Sequence, residues 1–242
     1  MKGIFYGVGV GPGDPELLTL KAQRIIETCP VIAIPKDEAG SLTALEIAQQ
    51  AVPEIAKKEI IKLSLPMSRD PQVLIEARKQ AAQQIIDRLL QGCPVAFLTL
   101  GDPSIYSTFS YLRVQVQGAG YIVESVPGIT SFCAAAARLG ISLADGGESI
   151  HIIPGSYQGL VEGLTAPGTK IIMKTGRAAK ELSHLLTEGG LLNQTALVQN
   201  CGLDGERIIS CLGQDKILTS KQDENASLEK YFSIFIVKEQ LG

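Results

Sequence analysis

A chain of 242 residues, 45% of them hydrophobic, holds enough apolar material for one large domain or two small ones. A net charge of −3 with no basic run argues against a nucleic-acid-binding surface, and no apolar run approaches the roughly 20 residues of a membrane span. Five cysteines (Cys29, Cys93, Cys133, Cys201 and Cys211) form an odd set without Cys-x-x-Cys spacing. They read as reduced thiols of a cytoplasmic protein. Lys2 runs at once into a glycine-rich stretch, so no signal peptide is expected.

In chain order, strands are predicted at residues 4–10, 31–34, 60–63 and 95–100, and helices at 17–28, 43–50, 73–91 and 110–117. The third helix shows the 3.6-residue period in Leu74, Ala77, Ala81, Ile85, Ile86, Leu89 and Leu90. Alternation of this kind predicts a parallel sheet covered by helices. A second set follows, with strands at 122–126, 150–153, 170–173 and 196–199 and helices at 130–139 and 179–188. Two late strands, 208–211 and 232–237, read as an antiparallel pair. The polar segment 219–227 reads as a mobile loop. The expected fold class is α/β: two α/β domains, residues 1–114 and 115–242, with a ligand cleft between them and a mixed second sheet.

Three loops after strands stand out. The first is Gly7-Val8-Gly9-Val10-Gly11-Pro12-Gly13-Asp14-Pro15-Glu16. It fails the dinucleotide spacing, because Pro12 and Asp14 stand where Gly-x-Gly-x-x-Gly needs its last glycine. Pro12 and Pro15 remove N–H donors while Asp14 and Glu16 add negative charge, the opposite of a phosphate cradle. The second is Leu100-Gly101-Asp102-Pro103-Ser104-Ile105-Tyr106-Ser107-Thr108, and the third is Val126-Pro127-Gly128-Ile129-Thr130-Ser131. Each alone is an ordinary strand-to-helix turn. Three together point to a ligand site beyond the carboxyl ends of a parallel sheet.

The only histidines, His151 and His184, lack Cys, Asp or Glu at ligand spacing, so no protein-bound metal is expected. No Gly-x-Ser-x-Gly nucleophile elbow is present. Glycine, hydroxyls and backbone suit methyl transfer from S-adenosylmethionine, whose sulfonium methyl is already activated and needs mainly alignment.

These loops resemble the tetrapyrrole methylase family, nearly end to end, and within it the C20-methyltransferases of precorrin-2 and cobalt-factor II in cobalamin synthesis. The shared segments are Val8 to Ala22, Ile34-Pro35-Lys36, Leu65-Pro66-Met67-Ser68-Arg69-Asp70, Phe97 to Thr108 and Val126 to Phe132. The first is common to several branches, including the uroporphyrinogen III methyltransferases. Pro66 to Asp70 and Gly101 to Thr108 are narrower and look like the C20 branch. The resemblance implies a homodimer that binds S-adenosylmethionine and releases S-adenosylhomocysteine. It implies cofactor contacts from Pro12, Leu100, Gly101, Asp102, Ser104, Ile105, Tyr106, Thr130 and Ser131. By gapped matching it adds Met173, Lys174, the segment around Val198–Asn200, and Ser233.

The implied acceptor carries eight carboxylates and calls for cations, which Arg grips bidentately. The candidates are Lys36, Arg69 and Arg113, with Lys174 and Arg177 behind them. Asp102 and Tyr106 are candidates for catalysis, Asp102 equally as a fixed acceptor in its loop. Another methylase of the family, a non-catalytic tetrapyrrole carrier and a dinucleotide oxidoreductase are the alternatives. The intact glycine loops disfavour the carrier, and Pro12 and Asp14 disfavour the oxidoreductase.

Overall fold

The computed structural model describes residues 3–36, 43–66, 68, 70–157, 159–215, 228 and 232–239. Segment 219–227 and Arg69 lie outside these residues. The chain divides into two compact units, Met1–Thr130 and Ser131–Gly242.

The first unit holds a parallel sheet of β1 (Ile4–Gly9), β2 (Val31–Lys36), β3 (Glu59–Ser64), β4 (Val95–Thr99) and β5 (Ile122–Val126), in the order β3-β2-β4-β1-β5. The expected boundary at 114/115 is therefore corrected. β5 does not open the second domain; it pairs with β1 from Ile4↔Ile122 to Val8↔Val126 and completes the first sheet. The crossover helix before it, α4 (Phe109–Gly118), packs into the same core, so no break in packing occurs where the sequence suggested one.

Strand alternation sorts the core into two faces. Phe5, Val31, Ala33, Ile61, Leu63, Val95 and Phe97 form one buried cluster with α4 and with α3 (Pro71–Leu90). Three rings sit at its centre: Phe5 lies 5.4 Å from Phe109 and 6.5 Å from Phe97 between centroids. The alternate residues Val8, Val10, Ile32, Ile34, Ala96 and Leu98 are buried on the other face. There α1 (Leu20–Thr28) and α2 (Thr43–Ala51) meet β1 and β4. Burial on both faces explains why these strands read as continuous apolar runs.

Two helix starts differ from expectation, each because a cap decides the boundary. Asp70 accepts the Gln72 N–H at 2.8 Å and Pro71 occupies the first turn, so α3 begins two residues early. The helix expected from residue 17 begins instead at Leu20. Residues Pro15–Leu17 form a 3₁₀ turn capped by Asp14, and the Thr19 hydroxyl then caps α1 by accepting the Ala22 N–H at 3.1 Å.

The second unit holds a mixed sheet of β6 (Ile150–Pro154), β7 (Thr169–Met173), β8 (Thr195–Gln199), β9 (Arg207–Ile209) and β10 (Ser233–Val237), ordered β6-β7-β10-β8-β9. Its helices are α5 (Ser131–Leu139), α6 (Leu160–Thr165) and α7 (Ala179–Glu188). The two late strands do not pair with each other. β8 lies between them, antiparallel to both. β9 is short and half-exposed and folds back on β8 through the connection 200–206, whereas all five residues of β10 are buried and take a place inside the sheet.

Removing a ring from the first core should leave a void that neighbours close only partly. Phe97→Ala is expected to cost about 3–5 kcal/mol, read as an earlier transition in chemical denaturation monitored by circular dichroism.

Candidate functional site

In the first unit, β1 and β4 are neighbours whose onward connections run in opposite directions across the sheet: β1 leads to β2, β4 leads to β5. This is the switch point where open parallel sheets bind ligands. The three loops singled out by sequence follow β1, β4 and β5, which are adjacent, so the topology gathers them at one edge.

Backbone packing there is close. Gly11 and Gly101 exchange both hydrogen bonds, 3.3 Å from the Gly11 N–H and 2.7 Å from the Gly101 N–H. A Cβ on Gly9 would lie 2.5 Å from the Gly101 carbonyl oxygen and 2.7 Å from the Gly128 nitrogen, and one on Gly128 would strike the same carbonyl. Only glycine fits at either position.

Asp102 ties two of these loops together. Its Oδ1 accepts from the Ser104 N–H at 2.8 Å and from the Ser104 hydroxyl, and its Oδ2 accepts from the Gly128 N–H at 2.9 Å. Partial burial alone would raise its pKa. The two Ser104 donors and the Gly128 N–H outweigh that and hold the carboxyl below its usual value. The base of the loop is closed by a 2.9 Å hydrogen bond between the Thr99 and Ser107 hydroxyls, and Ser107 Oγ also accepts the Phe109 N–H at 3.2 Å to start α4. Between these ties Tyr106 adopts φ 50°, a left-handed conformation that a bulky side chain holds only when its surroundings impose it. Burial raises its phenol pKa.

Pro12 is buried, Leu100 and Ile105 are half-buried, and Ser104 is exposed. The Thr130 hydroxyl is buried and makes no hydrogen bond among the described residues. In the segments 7–16, 99–108 and 127–131 there is no Lys, Arg or His.

In the second unit, Met173 ends β7 and Lys174 follows with φ 54°. Lys174 has exposed surface, yet desolvation of its ammonium lowers its pKa. The Ser156 hydroxyl, from the loop after β6, shares its one proton between the Lys174 carbonyl at 2.7 Å and the Thr175 carbonyl at 2.6 Å. Two segments matched across gaps come together here: Gln199 faces Ser233 in the β8–β10 register, and its Nε2 donates to the Ser233 hydroxyl at 3.0 Å. Asn200 follows with φ 51°. Tyr106, Lys174 and Asn200 are the described non-glycine residues with positive φ; Lys174 and Asn200 each directly follow a strand, and Tyr106 lies in the loop between β4 and α4.

The basic candidates are not gathered to the same degree. Lys36 ends β2 on the exposed surface, Arg113 lies on the exposed side of α4, and the Arg177 side chain is not among those described. No group of His, Cys, Asp and Glu suited to a metal occurs among the described residues.

Thr19 and Thr99 were not singled out from sequence, and Ser107 was read only as one hydroxyl of its loop, not as the residue that closes it. The signal for Thr19 was present, as a threonine three residues ahead of Ala22, but reading the helix from residue 17 placed it inside α1. Ser107 lies two residues ahead of Phe109, the spacing of a hydroxyl that caps a helix start.

The chain belongs to the tetrapyrrole (corrin/porphyrin) methylases, whose family model matches residues 5–216. Among its relatives is a probable cobalt-precorrin-2 C(20)-methyltransferase of Methanocaldococcus jannaschii, 35% identical over 205 residues that cover 84% of this chain and 85% of that one. The cobalt-precorrin-2 C(20)-methyltransferase of Salmonella typhimurium is 30% identical, covering 86% and 87%. Among solved structures, a uroporphyrin-III C-methyltransferase from Thermus thermophilus complexed with S-adenosylhomocysteine superimposes with a TM-score of 0.69, at 22% identity, covering 98% of each chain.

Two outcomes follow from this geometry. Gly128→Ala is expected to cost about 1–3 kcal/mol by forcing the three loops apart, measurable as a lowered melting temperature. The Asp102 contribution depends on its charge: with a folded pKa below the unfolded value of about 3.9, it is fully present above that value and lost as pH falls through the folded pKa. The stability gap between the wild type and Asp102→Asn should therefore be constant near neutrality and shrink below about pH 4, followed by urea denaturation across pH.

Proposed function

We propose that this protein transfers a methyl group from S-adenosylmethionine to C20 of precorrin-2 or of cobalt-factor II (cobalt-sirohydrochlorin) in cobalamin biosynthesis. The observation that carries the reading is the pair of relatives named for that reaction, matched across more than four-fifths of the chain. The loops that carry the family resemblance are also those locked together by Asp102 and by glycine contacts.

The residues present fit a sulfonium donor. The loop segments carry no cationic side chain, Asp102 keeps one negative charge, and Thr130 has an unspent buried hydroxyl. The proposed cofactor residues are Pro12, Leu100, Gly101, Asp102, Ser104, Ile105, Tyr106, Thr130 and Ser131, with Met173, Lys174 and Ser233 from the second unit. S-adenosylmethionine supplies an activated methyl and is released as S-adenosylhomocysteine. The loops hold shape at neutral pH: Asp102 is ionised and occupied by three donors, and Tyr106, its pKa raised, stays protonated and able to donate a hydrogen bond. Both are thus suited to positioning rather than to removing the proton that C20 gives up. Lys36, Arg69 and Arg113 are the proposed partners of the substrate carboxylates, and the protein is proposed to act as a cytoplasmic homodimer. No described helix is long and apolar enough to cross a membrane.

The test is anaerobic single-turnover methylation with labelled S-adenosylmethionine and three acceptors: uroporphyrinogen III, precorrin-2 and cobalt-factor II. Label at C20 of either of the last two is expected, and which one accepts it identifies the substrate. Label on uroporphyrinogen III alone would overturn the C20 assignment within the family.

A further inference from the structure

The Pro127 carbonyl and the Gly128 N–H belong to one peptide group, and that group is gripped at both ends by side chains from two other loops. The Asp102 carboxylate takes the N–H at 2.9 Å, and the Thr19 hydroxyl donates to the carbonyl at 3.4 Å. A hydroxyl has one proton to give and lone pairs to spare, so Thr19 also accepts the Ala22 N–H and caps α1. Rotation of this peptide plane would break both grips at once. Packing limits its other movements, because Gly9 and Gly101 press on Gly128 too closely for a Cβ. Ile129, Thr130 and Ser131 follow directly.

We propose that Thr19 is a positioning residue for methyl-donor binding: it completes, with Asp102, a two-ended clamp on the Pro127–Gly128 peptide that fixes the course of the chain into Thr130 and Ser131. The inference rests on the donor-binding reading above. It assigns a task to a threonine in the shared Leu17-Leu18-Thr19-Leu20 segment beyond starting a helix.

The two tasks of the hydroxyl separate by substitution. Thr19→Asp keeps the cap, since aspartate is at least as good as threonine there. An ionised carboxylate cannot donate, however, so the grip on the Pro127 carbonyl is lost. Thr19→Ser keeps both. Two measurements are made on the full chain: exchange of the Gly128 amide proton by NMR, and S-adenosylhomocysteine binding by titration calorimetry. Thr19→Asp is expected to leave the melting temperature near the wild type, to speed Gly128 exchange and to weaken binding about threefold to tenfold, the range of one lost hydrogen bond. In turnover it should raise the KM for the methyl donor while kcat at saturation holds. Thr19→Ser should restore wild-type behaviour in each.

Unchanged Gly128 exchange in Thr19→Asp would overturn the clamp. Faster exchange with unchanged affinity would overturn its service to donor binding. A wild type with no affinity for S-adenosylhomocysteine would instead sink the donor-binding reading, and Gly128 exchange would then report on the clamp by itself.

Discussion

The peptide group between Pro127 and Gly128 is the joint on which the site edge of the first unit depends. A parallel sheet can align three strand ends, but it does not fix the loops beyond them, where backbone pairing stops. Here fixation comes from contacts that leave the sheet: the Asp102 carboxylate, the Thr19 hydroxyl and the mutual approach of Gly9, Gly101 and Gly128. Each reaches across the chain from a separate loop. Three loops that would be mobile singly become one rigid surface, made largely of backbone and poor in cationic side chains.

Such a surface matches a reaction whose difficulty is alignment. Where the group to be transferred is already activated, rigidity and exclusion of water matter more than strong acids or bases. The second unit continues the same economy. Lys174 and Asn200 hold left-handed backbone conformations past their strands, and hydrogen bonds from Ser156 and between Gln199 and Ser233 brace them. Strain of this kind persists only where the surroundings over-determine it.

Much of this was legible in the sequence. Short apolar runs located nearly every strand, and the 3.6-residue period located the long third helix, since burial writes itself into the sequence. Glycine and proline marked the three loops because only those residues allow such approach and turning. Partnership between strands was not legible. That β5 joins β1 rather than opening a new sheet, and that β8 separates β9 from β10, depends on crossovers that no local pattern records. Helix α6 escaped because six residues interrupted by Gly163 carry too short a period. Thr19 escaped through a boundary error of three residues, and with it one end of the clamp. The cationic partners of a polyanionic substrate remain legible only as the family resemblance has them, because exposed Lys and Arg obey no spacing rule.

The strand order also sets when the site can come into being. β1 is made first, yet both of its neighbours come from far along the chain: Phe5 pairs with Val95 and Ile4 with Ile122. During synthesis the earliest strand therefore has no partner until most of the first unit has emerged, and its apolar residues wait exposed. In the second sheet β10, last of the ten described strands, inserts between β7 and β8. Long-range pairing of this kind slows folding and leaves unpaired edges open to other chains in the interval. The arrangement that makes the loops rigid also makes them among the last features of the first unit to form, so a nascent chain holds the apolar strand without its site until β5 has emerged.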